Sequence, residues 1–357
     1  MESSFGKHIK VTVFGESHGE CIGGSVENLP AGIPLDMDAL MAFMRRRQGG
    51  GKMTTPRKEA DRPIFTAGIT DGKTDGSKLC FTIENQNKRS SDYDRFRDTP
   101  RPSHADYTAL LRFGEECDIR GGGHFSGRLT APVCVAGYFA LTALAHRGIS
   151  VGAHLYAVGD AADTPYDPVA VCPADFRNLS HFPARDACAA EKMMESIAAA
   201  AAEGDSVGGI VECAVTGLPA GLGDPLYDGI ENRLSATLFG LGGVRGVEFG
   251  TGFAAAAMRG HEHNDPFVKR DGKIQTVTNH HGGILGGISS GMPILFRVAF
   301  KPTASISMPQ TTLSQRTGEQ VTLSVTGRHD PCIAVRAVPC VEAQAALVLL
   351  DFLTEQR

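Results

Sequence analysis

Ile9-Lys10-Val11-Thr12-Val13-Phe14-Gly15-Glu16-Ser17-His18-Gly19 is a strand-like run that ends in a polar loop bounded by glycines. Residues 9–14 are β-branched and apolar at alternate positions, the period of a half-buried strand. A carboxylate, a hydroxyl and an imidazole then follow between two glycines. Glycine permits backbone angles and close approaches that a Cβ forbids, so a loop of this kind can press against a ligand. Taken alone, it reads equally well as a polar turn.

Four further segments have the same character. They are Arg101-Pro102-Ser103-His104-Ala105-Asp106, Arg120-Gly121-Gly122-Gly123-His124-Phe125-Ser126-Gly127-Arg128, Asn279-His280-His281-Gly282-Gly283-Ile284-Leu285-Gly286-Gly287, and Gly327-Arg328-His329-Asp330-Pro331. Each sets glycine or proline beside His, Arg or Asp, the side chains of proton transfer and anion binding. Five such loops point to a ligand cleft better than to coincidence.

Between these loops the pattern alternates irregularly. Strands are expected at 79–84, 207–216, 292–300 and 321–326. A helix over 36–47 opens with Asp36 as N-cap and places Met37, Leu40, Met41 and Met44 on one face. Residues 103–113 begin Ser103-x-x-Asp106, close to a capping box. Apolar, Ala-rich helices follow at 128–147, 186–203, 228–240 and 340–354. Strict βαβ alternation is missing, so the expectation is a single α/β domain spanning 1–357 that is not doubly wound. The proline-rich stretch 163–183 is the candidate boundary within it.

Composition narrows the function. Glycine makes up 43 of 357 residues, against a usual ~7%, and follows no linker or collagen period, which favours ligand-hugging loops. A net charge of −5 gives no global field for nucleic acid. The cations are local instead: Arg45, Arg46, Arg47, Lys52, Arg57, Lys58 and Arg62 surround Gly49-Gly50-Gly51. Nine cysteines without a C-x-x-C pair suggest a reducing cytoplasm and no disulfide framework. No apolar signal core or run of ~18–20 apolar residues is present, so no membrane span is expected. His261-Glu262-His263 and His280-His281 lack zinc-site spacing, and no metal is expected. Dinucleotide, P-loop and nucleophile-elbow sequences are missing as well.

If Ser103 caps a helix, His104 lies in its first turn, where phosphate is favoured and the imidazole can protonate a departing oxyanion. Arg120 and Arg128 flank a triple glycine whose amides could converge on one anion. Asp330, which follows Arg328 and His329, is either a ready base or an ion-pair partner.

The ordered set Gly15-Glu16-Ser17-His18-Gly19, Arg45-Arg46-Arg47, Arg101-Pro102-Ser103-His104-Ala105-Asp106-Tyr107, Asn279-His280-His281-Gly282-Gly283-Ile284, Lys301-Pro302-Thr303 and Gly327-Arg328-His329-Asp330-Pro331 resembles the chorismate synthase family, collinearly over about residues 5–350. The resemblance implies a β-α-β sandwich, a homotetramer, and anti-1,4-elimination of phosphate from 5-enolpyruvylshikimate 3-phosphate. That reaction uses reduced FMN without net redox, with NADPH entering only as an indirect reductant. It implies catalytic roles for His18, His104 and Asp330. Substrate contacts would come from Arg46, Arg47, Lys52, Arg57, Arg120, Arg128 and Arg336. FMN contacts would come from His124, Phe125, Ser126, Gly242, Gly243, Gly286, Lys301, Pro302, Thr303, Ala304, Ser305 and Arg328. The chain departs from the family pattern at Gln48-Gly49, Lys52, His124-Phe125-Ser126-Gly127 and Gly242-Gly243.

Overall fold

A computed structural model of the chain describes residues 1–49, 53–54, 59–86, 94–176, 182–325 and 330–355. The opening strand is Val11–Gly15, and its backbone is flanked by Glu2–Phe5 and Cys21–Val26. Leu79–Glu84 and Ile64–Ala67 complete a five-stranded antiparallel sheet in that order. A second five-stranded antiparallel sheet runs Val244–Phe249, Ile294–Phe300, Gly209–Thr216, Ser150–Val158, Ala161–Ala162.

The helices are α1 (Met37–Arg47), α2 (Asp106–Phe113), α3 (Thr130–Ala145), α4 (Ala187–Ala202), α5 (Ile230–Leu238), α6 (Gly260–His263) and α7 (Ala334–Glu355). Helices α1, α3, α5 and α7 pack on one another. Of these, α3 lies on the first sheet and α7 on the second. The result is a sheet–helix–sheet sandwich, as the family resemblance implies. One hydrophobic core runs from Ile9 to Phe352 through both sheets and this helical layer.

Placement in the middle layer explains the composition of the helices. A helix apolar on every side must be enclosed on every side. Helix α7 is buried from Ala334 to Phe352 except at Arg336, and α3 is buried from Ala131 to Ala140. The segment Arg120–Ala145, which ends in α3, and α7 are long and apolar enough to cross a membrane, yet 78% and 89% of their apolar windows, in that order, lie inside the fold, which makes them core segments. At their crossing a Cβ added to Gly137 would lie 2.3 Å from Cβ of Ala343 and 2.6 Å from its Cα. Only glycine fits there.

Asp36 caps α1 as expected, accepting from the amides of Asp38 and Ala39 at 2.9 and 3.0 Å. Asp351 near the end of α7 accepts from the amides of Lys7, His8 and Ile9 at 2.9, 2.8 and 2.6 Å. That clamp fixes the chain just before the strand that delivers the His18 loop.

Three expectations need correction. Helix α7 begins at Ala334 rather than 340 and runs through Pro339. The 163–183 stretch is no boundary: its Tyr166, Val171 and Phe176 cluster with Ala214 and Leu295 of the second sheet. Ser103 does not cap α2. Its φ is 58°, the N-cap position is Ala105 without a side-chain bond, and the helix starts only at Asp106. His104 therefore precedes the helix instead of occupying its first turn.

Candidate active site

Three left-handed glycines bring the two loop histidines together. Gly121, Gly122 and Gly123 have φ of 60°, 89° and 53°, a conformation that a side chain would strain. A Cβ on Gly121 would lie 2.6 Å from Nε2 of His18, and one on Gly122 would lie 3.6 Å from Nε2 of His104. Adjacent residues of one turn thus face the two imidazoles. The amide of Ser17 donates to the carbonyl of Gly123 at 3.0 Å, and His124 donates through Nδ1 to the carbonyl of Gly15 at 2.8 Å. The glycine turn and the His18 loop are therefore built as one unit. Within it the buried Ser17 hydroxyl has no hydrogen-bond partner among the described residues.

His104 is held by an ion pair that the sequence reading passed over. Arg101 donates through Nε and Nη2 to both oxygens of Asp106 at 2.7 and 2.6 Å, and Nη1 reaches the Ser305 hydroxyl at 3.0 Å. Nδ1 of His104 lies 2.7 Å from Oδ1 of Asp106 and 3.1 Å from Nη2 of Arg101. The shorter contact assigns the Nδ1 proton to Asp106, which leaves Nε2 toward Gly122. Burial pushes the His104 pKa down, and Arg101 and Lys301 add to that against the opposing pull of Asp106. Asp106 is itself held well below the usual carboxylate range: burial alone would raise it, but the bonds from Arg101 and His104 outweigh that.

A second buried network carries net positive charge. Asp61 accepts from Arg47 at 2.5 Å and, on its other oxygen, from Arg128. The three side chains are almost fully enclosed, at 0%, 4% and 4% exposure. Two guanidiniums share one carboxylate, so one positive charge is left over for an anion. Arg128 also donates to Oδ1 of Asn85 at 2.9 Å. The Asn85 amide in turn holds the carbonyls of Glu16 and Gly19 at 3.1 Å each. The cationic network and the His18 loop are thereby braced together.

These groups surround a cavity of about 790 Å³. Asp330 faces it, bonded at 2.6 Å to Arg336, whose Nε donates to the carbonyl of Arg47 at 2.7 Å. The Thr303 hydroxyl holds the Asp330 carbonyl at 2.6 Å. Arg245 and Lys301 also line the cavity, and neither has a carboxylate partner among the described residues. Burial, and then Arg245, pushes the Lys301 pKa down. Leu129, Val133, Leu241, Phe300 and Ile333 provide apolar wall.

Most of the residues singled out in the sequence face this cavity. His104, Asp330, Arg47, Arg128, Arg336, His124, Phe125, Ser126, Gly242, Gly243 and the whole segment Lys301 to Ser305 line it, while His18 sits behind Gly121. Besides His18, three others among the described residues do not line it. Arg46 makes a bidentate bond to Glu342 at 2.6 and 2.8 Å, and Arg120 turns onto Asp118 at 2.7 Å. Gly286 lies in the turn between Ile284–Leu285 and Ile288–Ser289, away from the cavity lining. Lys52, Arg57 and Arg328 lie outside the described residues. Of the histidines weighed as metal ligands, His281 is committed to Asp265. His263 stacks at 5.7 Å on His280.

The sequence shows Arg101 and Asp106 within a motif without revealing their ion pair, and it gives no sign of Asp61 or Arg245 as site residues. The first two were visible as an arginine five residues before an acid in a tight loop. Asp61 gave no local signal, because its partners come from α1 and from the turn before α3.

A family model described as chorismate synthase matches residues 9–354. The chorismate synthase of Thermococcus gammatolerans is 45% identical over 352 residues, covering 99% of this chain and 98% of its own. That of Chitinophaga pinensis is 45% identical over 356 residues, with the same coverage. A crystal structure of a chorismate synthase is similar in fold, with a TM-score of 0.76 at 24% identity, covering 99% of this chain and 93% of that one.

Proposed function

The chain belongs to the chorismate synthase family, a family of lyases, and on that premise we propose that it converts 5-enolpyruvylshikimate 3-phosphate to chorismate and phosphate. The elimination belongs to the shikimate pathway of aromatic amino-acid biosynthesis and takes place in the 790 Å³ cavity. The observation that carries this reading is the convergence there of His104, Asp330 and the cations Arg47, Arg128, Arg245 and Lys301.

The residues present fit reduced FMN. Gly242 and Gly243 leave room on one wall, where a Cβ on Gly243 would strike Ile333 at 2.5 Å. The apolar side chains suit a flat ring system, and Lys301 and Arg245 suit a phosphate. His124, Phe125, Ser126, Gly242, Gly243 and Lys301 to Ser305 would hold it. When bound, reduced flavin supplies the electron density that loosens an allylic phosphate whose departure no simple base could drive.

The chain's own groups handle protons and charge. Arg47 and Arg128 bind anionic oxygens, and the Asp61 carboxylate keeps both guanidiniums aimed inward. His104, kept neutral by burial, gains basicity when a phosphate dianion enters beside it. Asp106 then stabilises the imidazolium, so Nε2 donates its proton to the leaving oxyanion. His18, behind Gly121, would hold a proton for the reduced cofactor. Asp330, oriented by Arg336, accompanies the removal of the ring hydrogen. The whole chain acts as one domain in a cytoplasmic homotetramer, and NADPH serves only as an indirect source of electrons.

Anaerobic assays with photoreduced FMN and the phosphorylated substrate test this. Chorismate should form without stoichiometric reductant use. His104→Ala and His18→Ala should each lose turnover while retaining the far-UV circular dichroism of the parent. Unchanged turnover in both variants, or NADPH consumed in step with product, would defeat the assignment.

A further inference from the structure

Helices α3 and α7 bring two thiols together at the cavity wall. Sγ of Cys134 lies 3.8 Å from Sγ of Cys340. Both are buried, at 0% and 3% exposure, and Cys340 lines the cavity. One helical turn further along, Gly137 meets Ala343 at the same sequence offset of 206 residues, so the helices run parallel through the crossing. The 2.6 Å between a Gly137 Cβ and the Ala343 Cα puts those two Cα atoms no more than about 4 Å apart, allowing one Cα–Cβ bond of about 1.5 Å. Backbones this close, one turn from the cysteines, keep the pair within reach of the ~4.4–6.8 Å Cα spacing that a disulfide needs.

We propose that Cys134 and Cys340 form a reversible dithiol–disulfide couple at this wall, oxidised by hydrogen peroxide that enters through the cavity. Cys340 is the attacking sulfur, because it alone of the two lines the cavity. Its thiol is held low by the bond with Cys134 and then, against burial, by the Arg47 guanidinium and the Thr130 hydroxyl. Cys134 is enclosed, and burial and then its bond to Cys340 push its thiol up against the opposing pull of Arg47 and Arg46.

In the first step the Cys340 thiolate attacks one peroxide oxygen and the O–O bond breaks. Cys340 becomes a sulfenic acid, and the released hydroxide takes up the thiol proton as water. Sγ of Cys134 then attacks Sγ of Cys340 as the S–O bond breaks, and a second water leaves with the Cys134 proton. Two thiols and one peroxide yield one disulfide and two waters. Reduced flavin bound in the cavity would supply such peroxide with dioxygen as the oxidant. That source rests on the proposed cofactor, whereas the couple does not.

The test uses the full chain with Cys172→Ser and Cys188→Ser, which removes the exposed thiols. The reduced protein, without flavin, receives hydrogen peroxide and is then unfolded in an alkylating reagent and mapped by peptide mass. The expected product is a Cys134–Cys340 cross-linked peptide, lighter by two hydrogens, which a dithiol reductant restores. Cys134→Ala added to this background should stop at a Cys340 sulfenic acid that a cyclic 1,3-dione captures. If both thiols stay fully alkylated while other cysteines oxidise, or the cross-link joins a different pair, the proposal is wrong. If the variant fails to fold, the parent cross-link still decides. Success without flavin, coupled with failure of the elimination assay, would separate this couple from the proposed function.

Discussion

Replacing Asp61 by Asn tests the account of the cationic wall most directly. The parent network holds two guanidiniums on one carboxylate, with all three side chains at 4% exposure or less. Asn keeps the shape but removes the charge, so the buried net charge rises from one positive to two. Breaking a buried pair in this way costs about 3–5 kcal/mol. Unfolding entropy of ~2.1 cal/mol/K per residue over 357 residues totals about 0.75 kcal/mol/K, so the melting temperature should fall by roughly 4–7 °C.

Thermal unfolding followed by circular dichroism at neutral pH, in phosphate-free buffer, reads this directly. Adding Arg128→Gln to Asp61→Asn should recover part of the loss by removing one stranded charge. The pH dependence has a definite sign. Burial opposes the Asp61 charge, but Arg47 and Arg128 overcome it and depress the pKa. Its stabilisation is therefore complete above the unfolded value of about 4 and is lost as pH falls through the lower folded value. The gap between parent and Asn variant should narrow in that acid window. A variant melting within about 1 °C of the parent at neutral pH, against the shift expected from the entropy above, would refute the buried-charge reasoning.

Gly121→Ala should cost activity far more than stability. Its Cβ would lie 2.6 Å from Nε2 of His18, and a displacement near 1 Å is worth about 100-fold in rate. Steady-state kinetics beside a melting curve would separate the two effects, and unaltered kcat would sink the placement of His18. Asp106→Asn removes the partner that raises the His104 pKa against burial, Arg101 and Lys301. The imidazole's NMR titration midpoint should move to lower pH, and an upward shift would contradict the assigned contact. Gly137→Ala forces α3 and α7 apart at a 2.3 Å contact. Overpacking of about 1–3 kcal/mol should outweigh the ~1 kcal/mol gain in helix propensity and lower the denaturation midpoint. A midpoint at or above that of the parent would show that the crossing has slack.

Elements whose signal is local were legible before any fold was known. Asp36 announced the start of α1 because an N-cap acts within three residues. The Val11–Gly15 strand showed its alternation in a handful of positions. Failures came where a distant partner overrode a local rule. Ser103-x-x-Asp106 has the spacing of a capping box, yet the Asp106 carboxylate binds the Arg101 guanidinium, and Ser103 takes a left-handed turn instead. Arg46 and Arg47 are neighbours with identical chemistry, but on a helix adjacent residues point about 100° apart. Arg46 therefore meets Glu342 and Arg47 meets Asp61.

The sequence alone established the α/β alternation, the family, and the glycine-rich loops bearing His18, His104 and Asp330, because composition, period and motif order are written along the chain. Tertiary structure alone decided which cations reach the cavity, that Asp61 joins two of them, and that Cys134 meets Cys340. Those pairings span from 14 residues, between Arg47 and Asp61, to 206, between the cysteines. Only packing of the helical layer between its two sheets brings such positions within bonding distance.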